Sequence, residues 1–136
     1  EKFPGFVKRR RENFDMLHKG LEDMQDRLIL PEAIENSKPS WFGFLITVRD
    51  GISRNDMVRY IENHGVQTRM LFSGNLIKHP CFDEMRKTGE GYRVAGDLKN
   101  TDRIMDSSFW IGTYPGMDEK RIDRMVRVIR EAAGRQ

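Results

Sequence analysis

An arginine and a polar turn stand close together in Gly65 to Pro80, G-V-Q-T-R-M-L-F-S-G-N-L-I-K-H-P. Arg69 offers a planar fork of donors that suits phosphate or carboxylate. Ser73, Gly74 and Asn75 follow it within a few residues, and glycine there lets backbone approach a ligand closely. A surface arginine at an ordinary strand end has the same spacing, and short motifs do not separate the two readings.

Little else in the chain has the pattern of a self-sufficient active site. His18 falls off its helix stripe, and His64 precedes a terminator glycine, where a cation suits a helix end. Both read as structural. His79-Pro80-Cys81 has no second ligand pair at finger-like spacing, so no metal site is expected. No Ser/His/Asp or Cys/His set, dinucleotide glycine motif or phosphate loop is present. Asp83 and Glu84, like Glu22 and Asp23, are sequence neighbours that diverge on a helix, so paired carboxylates are unsupported. No catalytic residue is assigned.

Charge narrows the partners. The formal net charge is +3, from 24 basic and 21 acidic residues that are mostly interspersed. Lys8 to Arg11 is the one cationic run, but Glu12 and Asp15 follow and no aromatic interleaves, so a solvated helix face fits better than nucleic acid. An anionic small molecule suits the balance. The single cysteine, Cys81, rules out a disulfide within the chain and points to a reducing cytoplasm. No apolar run is long enough for a membrane span. The opening Glu1-Lys2-Phe3-Pro4, without an initiator methionine, is read as a piece of something larger.

These residues need a scaffold. Phe14, Leu17, Leu21, Met24 and Leu28 recur at steps of three and four, predicting a helix of about six turns that runs until Pro31 stops it after Leu30. Gly20 is its weak point. Buried, the five side chains contribute about 1.5–3 kcal/mol each, so the stripe must dock on something. Pro31 to Ser40 reads as a linker loop and Trp41 to Val48 as a central strand. Asp50-Gly51 turns the chain, Ser53 with Asp56 resembles a helix-start box, and Gly65 ends that helix. Val66 to Phe72 alternates as a second strand. Pro80 to Lys87 reads as a short helix, Thr88 to Gly91 as loop, and Asn100 or Thr101 as the cap of another helix through Asp106. Ser108 to Thr113 is the third strand. Asp118 caps a last helix with Ile122, Met125, Val126, Ile129 and Ala132 on one face. The expected class is α/β (α+β): a small mixed or antiparallel sheet of three to four strands covered by helices, with a long N-terminal helix. One domain spans residues 1–136, with residues 1–30 as the connecting helix and 41–136 as sheet and helices.

Ser40-Trp41-Phe42-Gly43-Phe44, T-R-M-L-F-S-G-N, Asn100 to Met105 and F-W-I-G-T-Y-P-G from Phe109 to Gly116 together resemble one family. It is the vitamin B6-dependent nucleotide-sugar aminotransferases and dehydrases of the aspartate aminotransferase fold. The likeness is nearest to the branch acting on CDP-4-keto-6-deoxy-D-glucose in 3,6-dideoxyhexose synthesis for lipopolysaccharide O-antigen. It spans nearly the whole chain but only the family's C-terminal small domain, which implies that the large, cofactor-anchoring domain is absent. The family's aminotransferases carry histidine where this sequence has Phe42, and a Tyr-x-Pro-x-His-like segment where it has Phe72-Ser73-Gly74-Asn75. The resemblance implies that the second departure marks a dehydrase and that Phe42 argues against an aminotransferase, with core packing as its other reading.

The resemblance implies that Phe42 walls the cofactor, that Arg69 grips an anionic group of sugar nucleotide or cofactor, and that Ser73 and Asn75 hydrogen-bond the sugar or cofactor rim with Gly74 permitting the approach. Phe72 and His79 rank lower. The implied activity is removal of the C3 hydroxyl from a nucleotide-linked 4-keto-6-deoxyhexose, with pyridoxamine or pyridoxal phosphate held by the absent domain. It also implies a homodimer and, in the CDP-sugar branch, a 2Fe–2S cluster with a reductase partner; no nucleic-acid or membrane partner is implied. The isolated fragment is expected to be inactive. The alternatives are a nucleotide-sugar aminotransferase and, outside the family, a free-standing ferredoxin-like ligand-binding module.

Overall fold

The computed structural model describes residues 2–135. Helix α1 spans Phe3–Leu21 and buries Phe14, Leu17 and Leu21, as their spacing requires. It ends earlier than the stripe predicts. A 3-10 turn covers Glu22–Met24, and Leu28 is buried from a two-residue strand, β1 (Leu28–Ile29). Hydrophobic spacing reports that Leu28 is inside; it does not say which element carries it there. The sheet decides the matter. Leu28 pairs with Val48 and Ile29 with Thr47, and the Arg49 N–H donates to the Arg27 carbonyl at 2.9 Å.

Three further strands complete the sheet: β2 (Gly43–Val48), β3 (Thr68–Met70) and β4 (Ser108–Gly112). Their order is β1-β2-β4-β3, antiparallel throughout. Each strand is shorter than its sequence run. Trp41 and Phe42 nonetheless stay tied to the ladder's extension, because Thr113 donates through its N–H to the Phe42 carbonyl (2.8 Å) and through its hydroxyl to the Trp41 carbonyl (2.7 Å).

Helices α1, α2 (Arg54–Asn63) and α5 (Glu119–Gly134) enclose one face of the sheet. Phe44, Ile46, Phe109 and Ile111 point inward and pack with Leu17, Leu21, Ile61 and Ile129 in one core. The helix starts are as expected. Ser53 Oγ accepts from the Asp56 N–H at 3.2 Å, and Asp118 Oδ1 accepts from the Arg121 N–H at 2.9 Å. On α5 the buried face has turned slightly, taking in Val128 and Ala133 while Met125 and Val126 are half-buried.

Val126 also explains Gly20. A Cβ on Gly20 would stand 2.6 Å from Val126 Cγ2, so the apparent weak point is where α1 and α5 pack with no room for a side chain.

Between β3 and β4 lie two 3-10 turns (Leu76–Lys78 and Pro80–Phe82), α3 (Asp83–Thr88) and α4 (Lys99–Ser107). The cap of α4 is neither Asn100 nor Thr101, which fall inside its first turn. Leu98 adopts φ 56°, and Asp97 Oδ1 accepts from the Lys99 N–H at 3.1 Å. A leucine in the left-handed region carries no sequence signal of that role. No described helix is long and apolar enough to cross a membrane.

Candidate functional site

Alternation along the strands divides the aromatic residues between two faces. Trp41 turns toward α1, its ring 4.5 Å from that of Phe14. Phe42 turns the other way and is 58% exposed. On that outer face it meets Trp110 edge-on, with ring centroids 5.2 Å apart at 87°. Trp110 is fixed from three directions: Phe42 abuts it, its indole N–H donates to the Met70 carbonyl at 3.2 Å, and it lies over Gly43. A Cβ at Gly43 would come within 2.6 Å of Trp110 Cε3, so the absence of a side chain there makes room for the ring.

Arg69 pairs in register with Trp110, which sets the arginine beside this aromatic wall. Among the described residues its guanidinium has neither a hydrogen-bond nor an ion-pair partner. It lines a groove of about 510 Å³ together with Trp110, Tyr114, Arg121 and Arg124. Trp110 and Tyr114, which line this groove, did not stand out as candidates in the sequence although both lie in the F-W-I-G-T-Y-P-G string. Arg121 and Arg124 looked like the solvent side of a capped amphipathic helix.

The loop after β3 is arranged differently from its expected role. Phe72, at φ 49°, is 77% exposed. Gly74, at φ 61°, allows a close approach, but the neighbour is Met105 of α4, whose Cγ would lie 2.4 Å from an added Cβ. Asn75, expected to reach sugar or cofactor, is only 3% exposed and turned inward. Its amide donates to Asp102 Oδ1 at 2.7 Å, and its backbone N–H meets Met105 Sδ at 3.3 Å.

Lys78 pairs with the same Asp102 oxygen at 2.8 Å. Lys78 first, and then Asn75, hold the Asp102 carboxyl below the ordinary carboxylate value. Asn75 is thus the bracket of the loop, leaving Ser73 exposed at its crest.

His79 braces that crest from behind. Its Nε2–H donates to the Ser73 carbonyl at 2.5 Å. Arg86 in turn donates to the carbonyls of Ile77 and His79. A cleft of about 340 Å³ runs along Phe72, Ser73, Gly74, Thr101 and Ile104.

The structure therefore brings Phe42 and Arg69 together through Trp110 and presents Ser73 on the loop that leaves the same strand. Asn75 and His79 stand behind, as supports. For a planar cofactor such a face offers an aromatic wall and an anion-binding donor, while Asp102 behind the loop is engaged by Lys78 and Asn75. It fits one side of a pyridine-type cofactor.

A family model for the DegT/DnrJ/EryC1/StrS aminotransferases matches residues 1–130. Over 136 aligned residues, covering 98% of this chain and 30% of the relative, the chain is 43% identical to the lipopolysaccharide biosynthesis protein RfbH of Salmonella typhimurium. It is 40% identical to a dTDP-4-dehydro-2,6-dideoxy-D-glucose 3-dehydratase of Saccharopolyspora spinosa, covering 96% of this chain and 27% of that one. The chain thus spans less than a third of the length of either relative. Among solved structures, a mutant GDP-4-keto-6-deoxymannose-3-dehydratase with bound GDP-perosamine superposes with a TM-score of 0.78 at 23% identity, over 94% of this chain and 32% of that one. The Escherichia coli GDP-4-keto-6-deoxy-D-mannose-3-dehydratase with bound hydrated PLP gives 0.77 at 22%, with the same coverage. At such identities these two structures speak for the fold.

Proposed function

The chain belongs to the DegT/DnrJ/EryC1/StrS aminotransferase family, and from that premise we propose that it is the substrate-side small domain of a pyridoxamine-phosphate-dependent nucleotide-4-keto-6-deoxyhexose 3-dehydrase. Alone, the 136-residue chain is inert; the rest of the site comes with the remaining two thirds of the enzyme. The observation that carries this reading is Phe42, held edge-on against Trp110 at the position where the family's aminotransferases carry a histidine. A phenyl ring neither donates nor accepts a proton and keeps water away, so the face favours loss of an oxygen substituent over protonation into an amine.

When bound, the cofactor supplies the electron sink for departure of the C3 hydroxyl. This chain's residues bind and orient. Arg69 takes an anionic group of the sugar nucleotide or the cofactor, a charge-assisted contact of about 1.5–3 kcal/mol when shielded from water. The Ser73 hydroxyl meets the rim of the sugar or cofactor. Asn75 keeps that hydroxyl in place through Asp102, and His79 does so through the Ser73 carbonyl. The aminotransferase alternative would need a titratable group near Phe42. Trp110, its ring neighbour there, offers only an indole N–H already donated to Met70.

The test uses an enzyme that contains this chain together with its cofactor-binding part, loaded with pyridoxamine phosphate and given a nucleotide-linked 4-keto-6-deoxyhexose labelled with heavy oxygen at C3. Release of the label into water is expected, and Phe42→His should slow it. Retention of the label in a 4-amino product would overturn the reading. With the chain alone, added pyridoxal phosphate should leave no bound-cofactor absorbance after gel filtration.

A further inference from the structure

The groove beside Arg69 is more strongly cationic than the proposed function requires. Arg121 and Arg124 of α5 line it with Arg69, and no carboxylate is within ion-pair distance of any of the three among the described residues. Two acids of the flanking elements have partners of their own. Asp118 accepts from the α5 backbone, and Glu62 accepts from the Thr68 hydroxyl.

Two of the guanidiniums are pre-positioned by neutral oxygens. Arg121 Nη1 donates to the Gly116 carbonyl at 3.1 Å and to the Tyr114 hydroxyl at 3.4 Å. Arg124 Nη2 donates to the His64 carbonyl at 2.9 Å. Each arginine has five N–H donors, so most remain available. Gly65 completes the arrangement: at φ 76° it ends α2, and a Cβ there would stand 3.1 Å from Arg124 Nη2.

Three arginines held without acidic partners around one concave surface form a receptor for a multiply charged anion. We propose that Arg69, Arg121 and Arg124 together bind the diphosphate bridge of a nucleotide-linked sugar, with Arg121 and Arg124 supplying most of the positioning from α5. A diphosphate presents oxygens on two phosphorus atoms, enough to meet separate guanidiniums, and Trp110 and Tyr114 flank the same groove. The ligand's identity rests on the dehydrase reading above; the anion site itself rests on the groove.

The chain is titrated with inorganic pyrophosphate, following the indole N–H of Trp110 and the arginine side chains by nuclear magnetic resonance. Saturable shifts at Trp110, Arg69, Arg121 and Arg124 are expected. A nucleotide-diphosphate sugar should displace the pyrophosphate, and sulphate at matched ionic strength should not. The double variant Arg121→Gln/Arg124→Gln should weaken binding by about tenfold or more, from the loss of two charge-assisted contacts.

Unchanged affinity in that variant, equal displacement by sulphate, or shifts confined to Lys8–Arg11 would overturn the proposal. Should the variant fail to fold, the site of the shifts in the unmodified chain decides. The outcome is separable from that of the dehydrase reading. Diphosphate binding without C3 oxygen release in the longer enzyme would sink the function and leave the groove, and the converse would do the opposite.

Discussion

The two faces of the sheet are built on different principles. The inner face is closed by shape: Phe44, Ile46, Phe109 and Ile111 meet α1, α2 and α5 with almost no exposed surface. The outer face is held by a few directed bonds. Trp110 hangs on one carbonyl and a bare glycine, the loop after β3 on Asn75, Asp102 and Lys78, and Arg54 ties the end of α4 by donating to the carbonyls of Met105 and Asp106. The inner face therefore supplies most of the stability. The outer face leaves unspent groups, Phe42, Arg69 and Ser73, in water where they can meet another molecule.

Substitutions on the two faces sharpen or break that contrast. Phe44→Ala should cost about 3–5 kcal/mol, read as a lowered urea midpoint, because it empties a site at the centre of the core. A cost below about 1 kcal/mol would mean that the inner face is not what holds the molecule. Gly20→Ala should destabilise by about 1–3 kcal/mol although alanine is the better helix former, since its methyl collides with Val126. Val126→Ala in the same molecule should recover most of that loss, and simple additivity would show that the helices do not meet there.

Asn75→Ala should raise amide exchange in the loop after β3 severalfold and barely move the global transition. The same loosening should appear in acid. The folded Asp102 carboxyl is depressed by Lys78 and Asn75, so the bracket is complete above the ordinary carboxylate value near 4 and is lost as the pH falls on through the lower folded-state value. Loop exchange indifferent to pH between about 5 and 2 would remove Asp102 from that role. Smallest of all, Phe42→His should shift stability by less than about 0.5 kcal/mol, because the ring is largely in solvent.

Much of the inner face was legible in the sequence. The starts of α2 and α5 follow from Ser53 and Asp118, and β2 and β4 from their apolar runs. What was misread shares one cause, since periodicity and propensity describe single elements whereas the outcome depended on pairs. Leu28 is buried by pairing with Val48, Gly20 is required by Val126, and Asp97 reaches the start of α4 only because Leu98 takes an unusual conformation. The outer face was half legible. Phe42 and Arg69 stood out by type, but Asn75 looked like a ligand-binding amide until α4 was in place to receive it. Arg121 and Arg124 carried no signal at all, because a charged position on an amphipathic helix has the same spacing whether it lines a groove or empty solvent.

The placement of the two tryptophans gives the chain a built-in optical probe. Trp41 packs against Phe14 on the helix-covered side, whereas the Trp110 indole lies on the opposite side over Gly43, and both are half-buried. A docking polypeptide or a ligand arriving at that side would change one emission component and leave the other as an internal reference. Occupancy could then be followed in real time without any label.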